Sequence, residues 1–166
     1  MDINALADLL KQVDKSLILD LSQLLKGRDT IYLIGNGGSN SICSHISQDY
    51  TKVLGLRAQC FSDPSRLTCY INDYGSDKAY SKFLEHFATI KSLVILISSS
   101  GNSQNILESA RYCVDAKIPF LILTGFDKDN GLRKEFSNKA LLDFHVDSYN
   151  YGIVESTHLI FLHSVI

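Results

Sequence analysis

His45 and Asp49 stand four residues apart, a spacing that puts two side chains on one face of a helix. An imidazole and a carboxylate placed in this way can pass a proton to a substrate or hold a cation between them. Glu155 and His163 are eight residues apart. On a helix that is about 80° around and about 12 Å along the axis, so both can flank an extended substrate from one side. His158 falls about 140° away from His163 and does not share its task. His86, His145 and His158 are read as structural.

Two further clusters are built from serine, glycine and asparagine: Gly35-Asn36-Gly37-Gly38-Ser39 and Ser98-Ser99-Ser100-Gly101-Asn102-Ser103. Each follows an apolar run and precedes a helical pattern. Glycine lets backbone approach a ligand closely, and helix-start amides together with serine hydroxyls donate hydrogen bonds to an anion. A phosphate group suits such loops better than a neutral ligand. The first cluster is no dinucleotide fingerprint, because Asn40 stands where the third glycine belongs, and neither cluster has the Gly-Lys-Ser/Thr of a P-loop. No nucleotide cofactor is expected.

The elements that must carry these residues follow from periodicity. Apolar residues recur with a helical period from Ile3 to about Leu25, as one broken helix or two. Short β-branched or aromatic runs mark strands at Thr30 to Ile34, Ala58 to Phe61, Leu93 to Ile97, Pro119 to Thr124 and Ala140 to Val146. Helical spacing fills Ser39 to Leu54, Asp77 to Ile90, Ser103 to Ala116, Asn130 to Phe136 and Ile153 to Ile166, with a turn at Asp63-Pro64. Strands that are apolar throughout and alternate with helices predict an α/β fold, a parallel sheet covered on both faces. In such a sheet the two polar loops lie at the carboxyl ends of strands, where ligands bind.

The 166 residues suit a single domain, 1–166, with residues 1–26 as an amino-terminal helical segment. The final helix carries no glycine stop and no basic last turn, which predicts a chain continuing past Ile166 or an end covered by another subunit. A net charge of −2 offers no basic excess for nucleic acid, and no apolar run reaches membrane-spanning length. An acidic residue sits at position 2, where a secretory signal carries positive charge, and a cytoplasmic protein is expected. Cys43, Cys60, Cys69 and Cys113 form no Cys-x-x-Cys pair and are read as reduced core thiols.

Taken in order, Gly35-Asn36-Gly37-Gly38-Ser39, His45, Asn72-Asp73-Tyr74-Gly75, Ser98 to Ser103, and a last helix with Glu155 and His163 resemble the sugar isomerase (SIS) domain family. The likeness runs over nearly the whole chain and is nearest to the phosphoheptose isomerases, which convert sedoheptulose 7-phosphate to a heptose 7-phosphate. The resemblance implies a three-layer αβα sandwich, Rossmann-like, preceded by amino-terminal helices. It also implies a homotetramer and a role in making heptose precursors of lipopolysaccharide or capsule.

Carried over residue by residue, the resemblance implies that Ser98, Ser99, Ser100 and Ser103, with the backbone around Gly101 and Asn102, hold the sugar phosphate. Asn36, Gly37, Gly38, Ser39, Asn72, Asp73 and Glu155 would contact the sugar. Asp49 and His163 would be the acid–base pair, one at each face of a cis-enediol, and His45, Asp49, Glu155 and His163 the zinc ligands. The family has Glu where this chain has Asp49, and Gln where it has Glu155. Aspartate reaches roughly 1.5 Å less, on the order of 100-fold in rate if the frame does not adjust. Two readings stay open: an aldose–ketose isomerase acting on a small phosphorylated sugar, or an SIS domain that only binds a phosphosugar or a protein partner.

Overall fold

The computed structural model describes residues 2–166. Three apolar runs form the centre of the sheet: Ile31–Gly35 (β1), Leu93–Ser98 (β3) and Phe120–Gly125 (β4), each buried along its whole length. Ala58–Cys60 (β2) and Leu142–Val146 (β5) are the edges. All five strands are parallel in the order β2-β1-β3-β4-β5, as the continuous apolar runs require. The helices are Ile3–Lys11 (α1), Lys15–Leu25 (α2), Gly37–Lys52 (α3), Pro64–Tyr74 (α4), Ala79–Phe87 (α5), Gln104–Asp115 (α6), Gly131–Phe136 (α7) and Tyr151–His163 (α8).

Alternate strand residues face opposite sides, and two cores result. Leu33, Ile95 and Leu123 pack with Ile46 and Tyr50 of α3, Leu21 of α2 and Phe161 of α8. Ile34, Leu96 and Ile122 pack with Phe83 of α5, Ile106 of α6 and Phe136 of α7. Sheet and two helix layers make the expected αβα sandwich. Asp14 breaks the first helical stretch in two, its carboxylate capping α2 at the Ser16 amide (2.8 Å). After α3 the chain turns at Gly55 with φ +68°, and the Leu56 amide closes back on the Tyr50 carbonyl.

One element corrects the sequence reading. The turn expected at Asp63-Pro64 opens a whole helix, α4, with Asp63 as its cap (Arg66 N–H to Oδ1, 2.8 Å) and Pro64 in its first turn. No α4 residue is fully buried, yet Leu67, Tyr70, Ile71 and Tyr74 keep a helical period, and Leu67 and Tyr70 pack against the second core. The helix also carries Cys69 to the surface, against the expectation of a core thiol, while Cys43 and Cys113 are buried. Burial pushes the Cys113 thiol up to about 12. No helix among the described residues is long and apolar enough to cross a membrane.

Candidate active site

Strand order reverses between β1 and β3, since the chain moves from β1 outward to β2 and then returns to the other side. Loops leaving the carboxyl ends of two such strands bound a crevice that no connection crosses. Here those loops are the two polar clusters. They line a cleft of about 230 Å³ with Asn36, Gly37, Gly38 and Ser39 on one side, Ser98, Ser99, Ser100 and Ser103 on the other, and Tyr151 and Glu155 from α8.

The serine side is preorganised. Ser98 Oγ donates to Ser103 Oγ (3.3 Å) and accepts the Gly101 amide (3.2 Å). Gly101 has φ +63°, and a Cβ there would overlap the Asn130 side chain, so only glycine closes this turn. Ser99 Oγ is buried and has no partner among the described residues. At the other loop, Asn36 caps α3 without using its side chain, which instead exchanges two hydrogen bonds with the Asn105 amide (2.9 and 3.0 Å). No side chain caps the first amides of α3, and the Glu155 carboxylate lies against Gly38 in that turn. No lysine or arginine lines the cleft, so an anion would be held by hydroxyls and amides.

A second group lies further along α3. Asp49 Oδ2 accepts from His163 Nε2 (3.1 Å) and sits 3.4 Å from His45 Nε2. The two imidazoles meet edge to face with centroids 5.1 Å apart. Tyr50 fixes this meeting: its buried hydroxyl donates to the Leu162 carbonyl (3.0 Å), so the residues next to Asp49 and His163 tie α3 to α8. Burial raises the Tyr50 phenol well above its ordinary range, which keeps it a hydrogen-bond donor. One ligand atom from each of His45, Asp49 and His163 lies within 4.8 Å of the others. Two imidazole nitrogens and a carboxylate oxygen are a donor set of the kind zinc takes, with a position left open.

The chain is 31% identical to the phosphoheptose isomerase of Helicobacter pylori (strain P12), over 97% of this chain and 82% of that one. It is 32% identical to the Fusobacterium nucleatum phosphoheptose isomerase, over 85% and 72% respectively. The chain belongs to the phosphoheptose isomerase family. The fold of this family is also that of the solved Neisseria gonorrhoeae enzyme, at a TM-score of 0.86 with 22% identity over 97% of this chain and 90% of that one. A Vibrio vulnificus NanR protein complexed with ManNAc-6P shares the fold at a TM-score of 0.71 and 16% identity, over 98% of this chain and 56% of that one. No family model matches the chain.

Set in the phosphoheptose isomerase frame, the expected residues divide into three groups. Asn36, Gly37, Gly38, Ser39, Ser98, Ser99, Ser100, Ser103 and Glu155 come together in the cleft. His45, Asp49 and His163 form the second group without Glu155. That corrects the four-ligand expectation, because the eight-residue offset along α8 carries Glu155 to the cleft instead. Asp49 and His163 are hydrogen-bonded to each other. Asn72, Asp73 and Asn102 are outside the cleft lining. Asn72 Nδ2 donates to Asp73 Oδ1 (3.0 Å) on exposed α4, and Asn102 Oδ1 accepts the Gly131 amide (2.8 Å), starting α7. Tyr151 and Ile97 line the cleft without having been expected there. The Tyr151 ring stands edge to face with Phe126 (4.7 Å), a contact between distant segments that periodicity does not signal.

Proposed function

We propose that this chain is an aldose–ketose isomerase acting on a phosphorylated sugar, of which sedoheptulose 7-phosphate is the leading candidate. The observation that carries the reading is the His163–Asp49 bond standing about three turns of α3 away from a serine cleft without lysine or arginine. From Gly38 to His45 is about 10 Å along the axis, and to Asp49 about 16 Å. A phosphate on the serine hydroxyls therefore leaves the opposite end of an extended sugar directed along α3 toward the pair.

Such an isomerisation needs a base for the proton on C1 of the ketose and a group to manage the protons on the two oxygens. Asp49 takes the C1 proton and returns it to C2. His163 gives its Nε2 proton to the C2 oxygen and takes one from the C1 oxygen. Because the two residues are bonded to each other, both work from one side, as transfer across a cis-enediol allows. No electrons leave the substrate, so no redox cofactor takes part. Alternatively, His45, Asp49 and His163 would hold a zinc ion, which when bound would supply polarisation of the substrate oxygens in place of the His163 proton.

A homo-oligomer, with a tetramer as the family precedent, belongs to the same proposal. The amphipathic α1 buries none of its residues in the lone chain and leaves Ile3 73% exposed. Heptose supply for surface polysaccharide and a cytoplasmic location are further parts of it that rest on resemblance. A binding-only domain is the second reading, favoured by the cluster lying outside the cleft lining. Incubation with sedoheptulose 7-phosphate, with zinc or with a chelator, decides between them. Aldose product supports the isomerase, and a panel of ketose phosphates left unchanged while still binding supports the second reading. His45→Ala should lower bound zinc from about one equivalent to none by elemental analysis.

A further inference from the structure

Glu155 joins only one of the two groups it was expected to join. It is absent from the His45, Asp49 and His163 group, and in the cleft it is the single charged side chain. Its carboxylate lies flat against Gly38: a Cβ built at that glycine would overlap both carboxylate oxygens. Gly38 is the second residue of α3, whose first amides have no side-chain cap. A carboxylate seated there is favoured by the helix start, and it faces a wall of serine hydroxyls with no lysine or arginine nearby to neutralise it. An ionised carboxylate can only accept hydrogen bonds. It therefore welcomes hydroxyl or amino groups on a ligand and repels a second negative charge.

We propose that Glu155 is a specificity-determining residue, which makes the cleft accept a phosphorylated polyhydroxy chain with a neutral or amino-bearing body and reject the corresponding sugar-acid phosphate. This rests on the cleft being a phosphosugar site. The two anionic ends of a sugar-acid phosphate cannot both be served, because the serine loop takes one and Glu155 holds the neighbouring place against the other. Substitution by glutamine keeps the size and the accepting oxygen but removes the charge.

The test compares two phosphates of three carbons each, an alditol 3-phosphate and an aldonate 3-phosphate, short enough to keep the end opposite the phosphate in the cleft that Glu155 lines. Binding is measured by calorimetry in the presence of a chelator, so that no metal recruits the carboxylate. The intact protein is expected to bind the alditol phosphate about tenfold more tightly, the scale of one unscreened charge contact in a partly wet cleft. In Glu155→Gln the aldonate phosphate should gain most of that factor, while the alditol phosphate changes by less than about threefold. Equal binding of the two ligands by the unaltered protein overturns the proposal without any variant. Equal weakening of both ligands in Glu155→Gln assigns the residue to the frame and also overturns it. If neither ligand binds the unaltered protein, the phosphosugar reading falls together with this one, whereas binding without discrimination overturns this one alone.

Discussion

The serine cleft and the histidine–aspartate group are built from different materials. Ser98 and Ser99 are each 4% exposed, closed by a positive-φ glycine and rooted in the middle of the sheet. The His45 side chain is 55% exposed, and its group stands on two helices joined through the Tyr50 hydroxyl. Binding residues therefore inherit the rigidity of the core, whereas the reactive residues depend on one helix-to-helix contact and on what covers them. An aspartate one methylene shorter than glutamate still reaches His163 because that contact holds α3 against α8.

Removing the reactive half alone should give the largest effect. Asp49→Asn is expected to lower kcat by about 10²- to 10⁴-fold while leaving phosphosugar affinity within about threefold. Parallel loss of binding in calorimetry would show that the two halves are not separable. Gly101→Ala strikes the binding half, forcing a side chain into a left-handed turn and pushing Asn130 from the cap of α7. We expect about 2 to 3 kcal/mol of lost stability by urea denaturation.

The sheet half should also answer to pH. His158 is fully buried, and its Nε2–H donates to the Thr124 carbonyl (3.0 Å) at the end of β4. Burial pulls its pKa down to about 4. The unfolded chain takes a proton near pH 6.5 that the folded chain refuses, so this contribution is complete above about pH 6.5 and is lost as pH falls toward 4. Between pH 7 and pH 5 it amounts to about 2 kcal/mol. Subtracting the pH profile of His158→Gln from that of the unaltered protein should expose this slope, and identical profiles would refute it. Smallest is Ser103→Ala, which removes one hydroxyl and should weaken phosphosugar binding by about 1 to 2 kcal/mol by calorimetry, with no change in metal content.

The same division decides what could be read from the chain alone. The five strands were legible because each is a short apolar run bounded by polar turns, and the two loops because serine and glycine gather after two of those runs. The His45 to Asp49 pairing was legible from its four-residue spacing. Helix α4 was missed although Leu67, Tyr70, Ile71 and Tyr74 keep a helical period, because aspartate before proline reads as a turn as readily as a helix start. The pairing of Asp49 with His163 joins residues 114 apart, and the seat of Glu155 on Gly38 joins segments on opposite sides of the chain. Tertiary packing sets both, and local spacing carries no trace of it.

The reciprocal amide pair between Asn36 and Asn105 bridges the starts of α3 and α6 beyond the carboxyl ends of the paired strands β1 and β3. Parting the loops would strand four polar atoms at the mouth of the cleft. The pair thus fastens the loop after β1 to the helix that follows the serine loop, so the two walls of the cleft are held at a fixed distance.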